Sequence, residues 1–428
     1  MNLVDGKIID EPESRRVLEV LPQRICQTLS KSGGITPHQV IHACDRMVNG
    51  LDWEKYLTIM EGIGIGPARG RAYLEEARRV FSAPYLQARL EIELGGEWEP
   101  MGWQPVGGNA AVHRQLRPLG VLLHIAAGNA DGLPAFSVLE GLLTGNINIL
   151  KLPEVDGGIS ILILQELIRV DPALADYIYV FDYGSKDAES IARLVDVADG
   201  VVVWGGDPAV RALRQLVSPN TKLIEWGHKV SFAYVTRAGM EDRVELAKLA
   251  RGICQSNQLL CTSCQGIYLD TGDMAEIHGF CERFLPILRQ AAGEIPQEAG
   301  IGALSQVTLQ VYTARLEAQE RQSRIYDGDG CSVIAYGDSD LAPSLQFRNP
   351  WVKPLPREAL LPTLRPHKNH LQTVALICGA HERTELQELF WRTGAVQMTD
   401  GASMSDVYCG QPHDGEYPLR RYTKVVTW

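Results

Sequence analysis

The chain has 428 residues, enough for two or three domains rather than one. Apolar residues make up 45% and charged residues 22%, as in soluble globular proteins, and the net charge of -11 argues against a general nucleic-acid binder, which needs a basic surface. Nine irregularly spaced cysteines do not form a disulfide framework and point to a reducing, cytoplasmic home.

In chain order, the N-terminus Met1-Asn2-Leu3-Val4-Asp5 is polar and carries no secretory core. Residues 1–95 read as mostly helical, and 67–81 form the best candidate, charged and opened by Pro67. Residues 96–118 change character, with glycines, tryptophans and a polar alternating run that read as β structure. From 119 to 235 the rhythm is strand, helix, strand. Apolar runs at 121–126, 147–152, 177–181, 200–204 and 223–226 alternate with helical stretches at 133–143, 159–170, 188–195 and 208–216. That alternation predicts a parallel sheet covered by helices. The apolar region 116–152 is broken by His124, Asp131, Pro134 and Glu140, so it reads as buried elements rather than a membrane span. A second α/β region follows from 236 to about 400, with helices at 241–253 and 274–292 and strands at 266–269, 332–335 and 373–377. The proline-punctuated stretch 338–370 reads as irregular, and 422–428 as a closing strand.

Cys261 stands among Asn257, Gln258, Thr262 and Ser263, between a helix and a strand. A cysteine is ordinarily a small buried hydrophobe, but polar surroundings at such a junction suit a nucleophilic thiolate. Cys264 completes a C-x-x-C whose context is not that of a redox helix, and Cys409, His413, His367 and His370 lack a recognisable zinc spacing, so no metal is expected. Asn129, after Gly128, reads either as a turn residue or as an oxyanion donor. Lys151 ends a central strand, either solvated or beside a nucleotide ribose or its 2′-phosphate. Trp204-Gly205-Gly206-Asp207 joins a strand to a helix; the glycine pair lets backbone approach phosphate, although a plain tight turn fits as well. Glu225 reads as surface charge or a general base, with His228 the competing base.

Taken in order, Pro118-Leu119-Gly120 through Gly128-Asn129, residues 141–146 with Lys151, residues 203–207, residues 227–233, the Asn257-Gln258 to Cys261-Thr262-Ser263 run and Pro412-His413-Asp414-Gly415 resemble the aldehyde dehydrogenase superfamily. The closer likeness is to the LuxC-type fatty acyl-CoA reductases, over about residue 118 to the C-terminus. The resemblance implies an α/β, aldehyde-dehydrogenase-like fold with a Rossmann-like parallel-sheet cofactor domain. It implies that 1–95 are the helical part of that domain and 119–235 its body. Residues 236–404 would be the catalytic domain, and 96–118 with 405–428 a small β oligomerisation element. By the same resemblance Cys261 is the nucleophile, Asn129 the oxyanion amide and Glu225 the general base or an auxiliary. Cofactor contacts are expected from Ala126, Lys151, Trp204, Gly205, Gly206 and Gly227. The implied reaction reduces an acyl thioester, carried by coenzyme A or an acyl-carrier protein, to an aldehyde in a homodimer or homotetramer. NADPH is favoured and NADH is the alternative. Aldehyde oxidation to the acid and a non-reducing acyl-transfer subunit are the rival functions. Cys264 departs from the proline expected there and reads as either incidental or a resolving thiol. Gly205-Gly206-Asp207 replaces the usual glycine-serine turn, and the motif that holds the nicotinamide ribose has no clear match.

Overall fold

The structure, a computed structural model, describes residues 1–62, 65–98, 103–106, 109–126, 132–153, 156, 158–297, 301–318 and 323–428; of 69, 97, 98, 109, 110, 301 and 303 it describes the backbone alone. The chain divides into two compact units, residues 1–227 with 408–428, and residues 228–407.

The first unit contains β1 (Asn2–Val4), β2 (Lys7–Ile9), β3 (Gln104–Val106), β4 (Asn109–Pro118), β5 (Val121–Ile125), β6 (Ile147–Lys151), β7 (Ile178–Phe181), β8 (Gly200–Trp204) and β9 (Lys222–Trp226). Its main sheet has the order β2-β1-β7-β6-β5-β8-β9. Strands β5 to β9 are parallel. Strands β5 to β8 are apolar almost end to end and buried along their length, as a sheet covered on both faces requires. The helix Leu133–Leu143 packs against β5 and β6. The chain steps outward from β5 through β6 to β7, then returns to β8 and β9 on the other side. This leaves a topological switch point between β5 and β8, and ligands of such sheets bind at the carboxyl ends there. The hairpin β1-β2 joins β7 in antiparallel fashion, within a region expected to be mostly helical. Asp5 and Gly6 turn it with φ of 52° and 72°, the left-handed pair that a two-residue hairpin loop demands.

The second unit holds β10 (Val230–Val235), β11 (Cys264–Leu269), β12 (Arg324–Gly328), β13 (Cys331–Ala335), β14 (Trp351–Pro354), β15 (Leu371–Ile377) and β16 (Gln397–Thr399). Their order is β12-β13-β14-β11-β10-β15-β16, with β12 antiparallel and the rest parallel. Successive residues of β10 serve opposite faces. Phe232 and Tyr234 enter one hydrophobic cluster, Ala233 and Val235 the other. The chain passes between units at Gly227/His228, so β10 lies in the second sheet rather than closing the first at 235. The stretch 338–370 is not wholly irregular, because it supplies β14 to the middle of that sheet and a helix at Leu360–Leu364. Strand β14 lies so close to β11 that a Cβ on Gly266 would stand 2.0 Å from the Trp351 ring, so that position requires glycine.

The last strand, β17 (Thr423–Thr427), forms a small antiparallel sheet of order β17-β4-β3. Tyr422 just before it is fully buried, whereas Val425 and Trp428 are 58% and 78% exposed. Among the described residues no helix is long and apolar enough to cross a membrane.

Candidate active site

The helix Arg243–Ser256 ends at Asn257, with φ 47°, and Gln258 follows with φ 60°. Successive left-handed residues other than glycine cost roughly 1–2 kcal/mol each and persist only where neighbours fix them. Gln258 is fully buried and supplies much of that fixing. Its Nε2 donates to the carbonyls of Cys264 and Gln265 at 2.9 and 3.2 Å, and its Oε1 accepts the Asn349 N–H at 2.8 Å. Gln265 Nε2 donates back to the Gln258 carbonyl at 2.9 Å. The turn that follows exposes Cys261. Its carbonyl accepts the Ser231 hydroxyl at 2.7 Å, and Ser263 Oγ accepts the Leu260 N–H at 3.1 Å. The backbone is thus pinned around an exposed cysteine. Cys264 differs in kind. It is 3% exposed, its thiol donates to the Gly266 carbonyl at 3.2 Å, and burial pushes it up to about 12. A thiol held protonated is a poor resolving nucleophile, so the geometry supports the incidental role.

A second segment braces this loop. Gln346, Phe347 and Arg348 have φ of 61°, 46° and 72°, and the Phe347 N–H donates to the Asn257 carbonyl at 2.8 Å. Arg348 is 2% exposed; its Nε donates to Asn257 Oδ1 at 3.1 Å and its terminal nitrogens to the carbonyls of Ala292, Pro296 and Cys254 at 3.2, 3.1 and 3.5 Å. Ala292 and Cys254 lie in the last turns of the helices Met274–Glu294 and Arg243–Ser256. Those are the negative ends of two helix dipoles, which offset the cost of burying the cation. Sequence reasoning missed this brace. The only local signal was Asn349-Pro350, a turn-forming pair.

In the first unit, β5 ends at Ile125 and runs into the buried Ala126, and β8 ends at Trp204 before Gly205, Gly206 and the helix Asp207–Leu216. The Gly205 N–H donates to the Trp226 carbonyl at 3.2 Å, and a Cβ on Gly205 would meet Ala209 Cβ at 3.4 Å, so the turn lies tight against its helix. Asp207 already complements the dipole of that helix, so the turn offers backbone approach more than positive charge. Positive charge stands two strands from that turn at Lys151, 7% exposed at the end of β6 and in register with Ile125 and Phe181. Gly227 follows β9, on the opposite side of β8. Ala126, Trp204, Gly205 and Gly206 therefore gather at the switch point, flanked by Lys151 and Gly227. Gly128 and Asn129 lie outside the described residues.

Trp204 is held from beneath by a buried chain of hydrogen bonds. Its indole N–H donates to Ser137 Oγ at 3.1 Å, Ser137 Oγ lies 2.7 Å from His124 Nδ1, and His124 Nε2 lies 3.0 Å from Asn148 Oδ1. Asn148 Nδ2 donates to the Asn146 carbonyl at 2.8 Å, so its Oδ1 is the acceptor and Nε2 carries the imidazole proton. The Ser-His-Asn connectivity imitates a catalytic triad. All three residues are nevertheless fully buried, and burial lowers His124 to about 4, which makes the chain a scaffold.

Glu225, on β9, is clamped by Arg214, whose Nε and a terminal nitrogen reach its two carboxylate oxygens, both at 2.5 Å. Both of its carboxylate oxygens are thus already occupied by the guanidinium. His228 begins the second unit, where its carbonyl lies 3.1 Å from His370 Nδ1. Among the described residues no group of three or more His, Cys, Asp or Glu side chains could hold a metal ion.

The family described as acyl-CoA reductase (LuxC) matches residues 35–425. The long-chain acyl-protein thioester reductase 2 of Photobacterium leiognathi is 24% identical over 341 residues, 77% of this chain and 67% of that one. The long-chain acyl-protein thioester reductase of Aliivibrio fischeri is 22% identical over 344 residues, 78% and 68% of the two chains. Among solved structures, aldehyde dehydrogenase 21 from Physcomitrella patens, in complex with the reaction product succinate, has a TM-score of 0.71 at 10% identity, covering 98% of this chain and 90% of that one. A Sinorhizobium meliloti 1021 protein assigned as a methylmalonate-semialdehyde dehydrogenase and complexed with NAD gives 0.70 at 12%, covering 100% and 96%. The bifunctional proline utilization A (PutA) protein gives 0.72 at 14% over 99% of this chain, which spans only 45% of that protein's length. The fold is that of the aldehyde dehydrogenases, and the chain belongs to the acyl-CoA reductase (LuxC) family.

Proposed function

We propose that this protein reduces an acyl thioester to an aldehyde through an S-acyl intermediate on Cys261. The observation that carries the reading is the exposed Cys261 on a turn whose backbone is pinned by Ser231, Gln258 and Ser263. The names of the two bacterial relatives, thioester reductases, point the same way. The Cys261 thiolate attacks the thioester carbonyl, the bond from that carbon to the carrier sulfur breaks, and the departing thiolate takes a proton from solvent. Coenzyme A and an acyl-carrier protein both supply such a leaving group. Cys261's own N–H is suited to the oxyanion that forms during attack. A nicotinamide dinucleotide, when bound, supplies the hydride that converts the S-acyl group to an aldehyde.

The first unit fits that cofactor. Its switch point carries Ala126 and the Trp204-Gly205-Gly206 turn, where backbone can approach a pyrophosphate. Lys151 ends the second strand of the parallel run, where NAD-binding sheets hold an acidic residue for the ribose 2′-hydroxyl and a cation suits a 2′-phosphate. This favours NADPH. Release of a thiolate needs no activated water, so a Glu225 whose two oxygens are both engaged by Arg214 is compatible with reduction. Self-association as a homodimer or homotetramer is part of the proposal. The strand β17 supports it, because it ends its sheet with Val425 and Trp428 exposed.

The test is NADPH consumption with a ladder of acyl-CoA thioesters, with the aldehyde trapped and identified. Cys261→Ala is expected to lose turnover by at least about 10³-fold, as removal of a nucleophile does. Glu225→Gln is expected to cost less than about tenfold, below the usual contribution of a general base. Normal turnover by Cys261→Ala would overturn the reading.

A further inference from the structure

We infer that His413 hydrogen-bonds the nicotinamide nucleotide of the cofactor, over the ends of β8 and β9 in the first unit. The inference rests on the nicotinamide-dependent reading above and adds to it a side chain that meets the reactive half of the dinucleotide. His413 opens a tight turn. Its N–H donates to the Glu416 carbonyl at 2.8 Å, and the Glu416 N–H donates to the His413 carbonyl at 2.9 Å. Asp414 and Gly415 between them have φ of 51° and 81°, so they form the two-residue loop for which Asp-Gly is a strong signal. The turn is also held from outside. Glu416 pairs with Arg421, whose carbonyl accepts Lys222 Nζ at 2.6 Å and whose guanidinium lies 5.8 Å from the centre of the Trp226 ring.

This turn delivers the imidazole to the carboxyl edge of the main sheet. Its ring centre lies 4.8 Å from that of Trp204 and 4.9 Å from that of Trp226, the last residues of β8 and β9 and partners in register. Trp204 precedes the Gly205-Gly206 turn and is itself held by Ser137. A phenyl ring would pack against two indoles just as well. What histidine adds is ring nitrogen, and 31% of its side chain is exposed. A dinucleotide crosses a switch point with one nucleotide over each half of the sheet. Lys151 on β6 suits the adenosine half with its 2′-phosphate, so the nicotinamide nucleotide falls over β8 and β9. The Gly205-Gly206 turn brings backbone to that half and Asp207 a negative charge, whereas His413 brings a side-chain donor. The carboxamide and ribose of the nucleotide carry acceptors that an imidazole N–H can meet.

Binding, measured without turnover, tests this. NADPH binding to the whole protein is followed by energy transfer from tryptophan to the reduced nicotinamide. Adenosine 2′,5′-bisphosphate, which lacks the nicotinamide nucleotide, is followed by its displacement of NADPH. His413→Phe keeps a ring against the indoles and removes the donor; His413→Gln keeps a donor and removes the ring. His413→Phe is expected to raise the Kd of NADPH at least about fivefold, the value of one hydrogen bond, and to leave that of the bisphosphate within about twofold. His413→Gln is expected to stay within about twofold of the unaltered protein on both ligands. Thermal melting shows that each variant is folded. An unchanged Kd for NADPH in His413→Phe, or equal loss on both ligands, would overturn the inference. A loss in His413→Gln that His413→Phe does not share would also overturn it, by assigning His413 to ring packing. If the unaltered protein bound neither NADPH nor NADH, the inference and the reductase reading would fall together. If binding depends on His413 and no thioester is reduced, the His413 contact stands and the reductase reading falls.

Discussion

Burying the Arg348 guanidinium takes a charge out of water and gives it only neutral acceptors, Asn257 Oδ1 and carbonyls at two helix ends. The arrangement holds because guanidinium is a planar fork that serves several acceptors at once, which an ammonium cannot do. Its consequence is local. Asn257 starts the left-handed pair that swings the chain off its helix toward Cys261. Arg348→Lys keeps the charge and loses the fork, so the turn should shift by a fraction of an ångström without unfolding. Misplacement on that scale costs up to about 100-fold in rate, and the expected outcome is a kcat lowered by at least about tenfold with KM for the thioester within about twofold. The rate of Cys261 alkylation should fall with kcat. An unchanged kcat in a variant with a lowered melting temperature would show that the brace stabilises the unit and does not position the thiol. Cys264, three residues from Cys261, makes the complementary point that burial, more than neighbouring sequence, decides which thiol can react.

At the scale of elements, what sequence reveals depends on how local the cause is. Strands β5 to β8 are legible because burial on both faces demands mostly apolar runs, broken in these strands only by His124, Asn148 and Lys151. Cys261 stands out as a candidate because its polar neighbours and the strand after it are adjacent in sequence. Strand β10 is recognisable as a strand, but its apolar run carries no mark of which sheet will take it. Strand β14 is four residues long and framed by Pro350 and Pro354, which read as breaks. The Arg348 brace and the Arg214 clamp on Glu225 are side-chain contacts across 91 and 11 positions, with no periodicity to betray them. The cofactor elements yield a prediction of their own. Lys151 is buried at the end of β6, in register with Ile125 on the strand that borders the switch point. Replacing it with glutamate would put a carboxylate where a 2′-phosphate is proposed and a 2′-hydroxyl could instead be bound. Lys151→Glu is expected to shift the NADPH-to-NADH ratio of kcat/KM toward NADH by at least about tenfold, or 1.4 kcal/mol. Equal loss on both cofactors would mean that Lys151 supports the strand rather than reading the ribose.

For the whole molecule, the two units differ in how the chain closes them. Residues 228–407 form a continuous segment with its own seven-stranded sheet, and both hydrophobic clusters on that sheet draw their buried residues from within it. The first unit is discontinuous and is completed by 408–428. That short return segment is not an accessory. Leu419 and Tyr422 are fully buried in the first unit's clusters, the Leu419 N–H donates to Glu93 at 2.9 Å, and the Tyr422 carbonyl accepts Asn146 Nδ2 at 3.1 Å. Glu93 is itself paired with the buried Arg89, which also pairs with Glu140. Removing the segment leaves cavities and unsatisfied buried groups, each with a cost of about 1–5 kcal/mol, against a total stability of about 5–15 kcal/mol. A chain ended at 407 should therefore lose the cooperative urea transition of its first unit, whereas a fragment of 228–407 should keep secondary structure and unfold in one sigmoidal transition by circular dichroism. A fragment that unfolds without cooperativity would show that the second sheet depends on the first unit for stability, even though its core is drawn from its own residues. A chain ended at 407 that retained the first transition would show that the buried Leu419 and Tyr422 contribute packing the unit can do without.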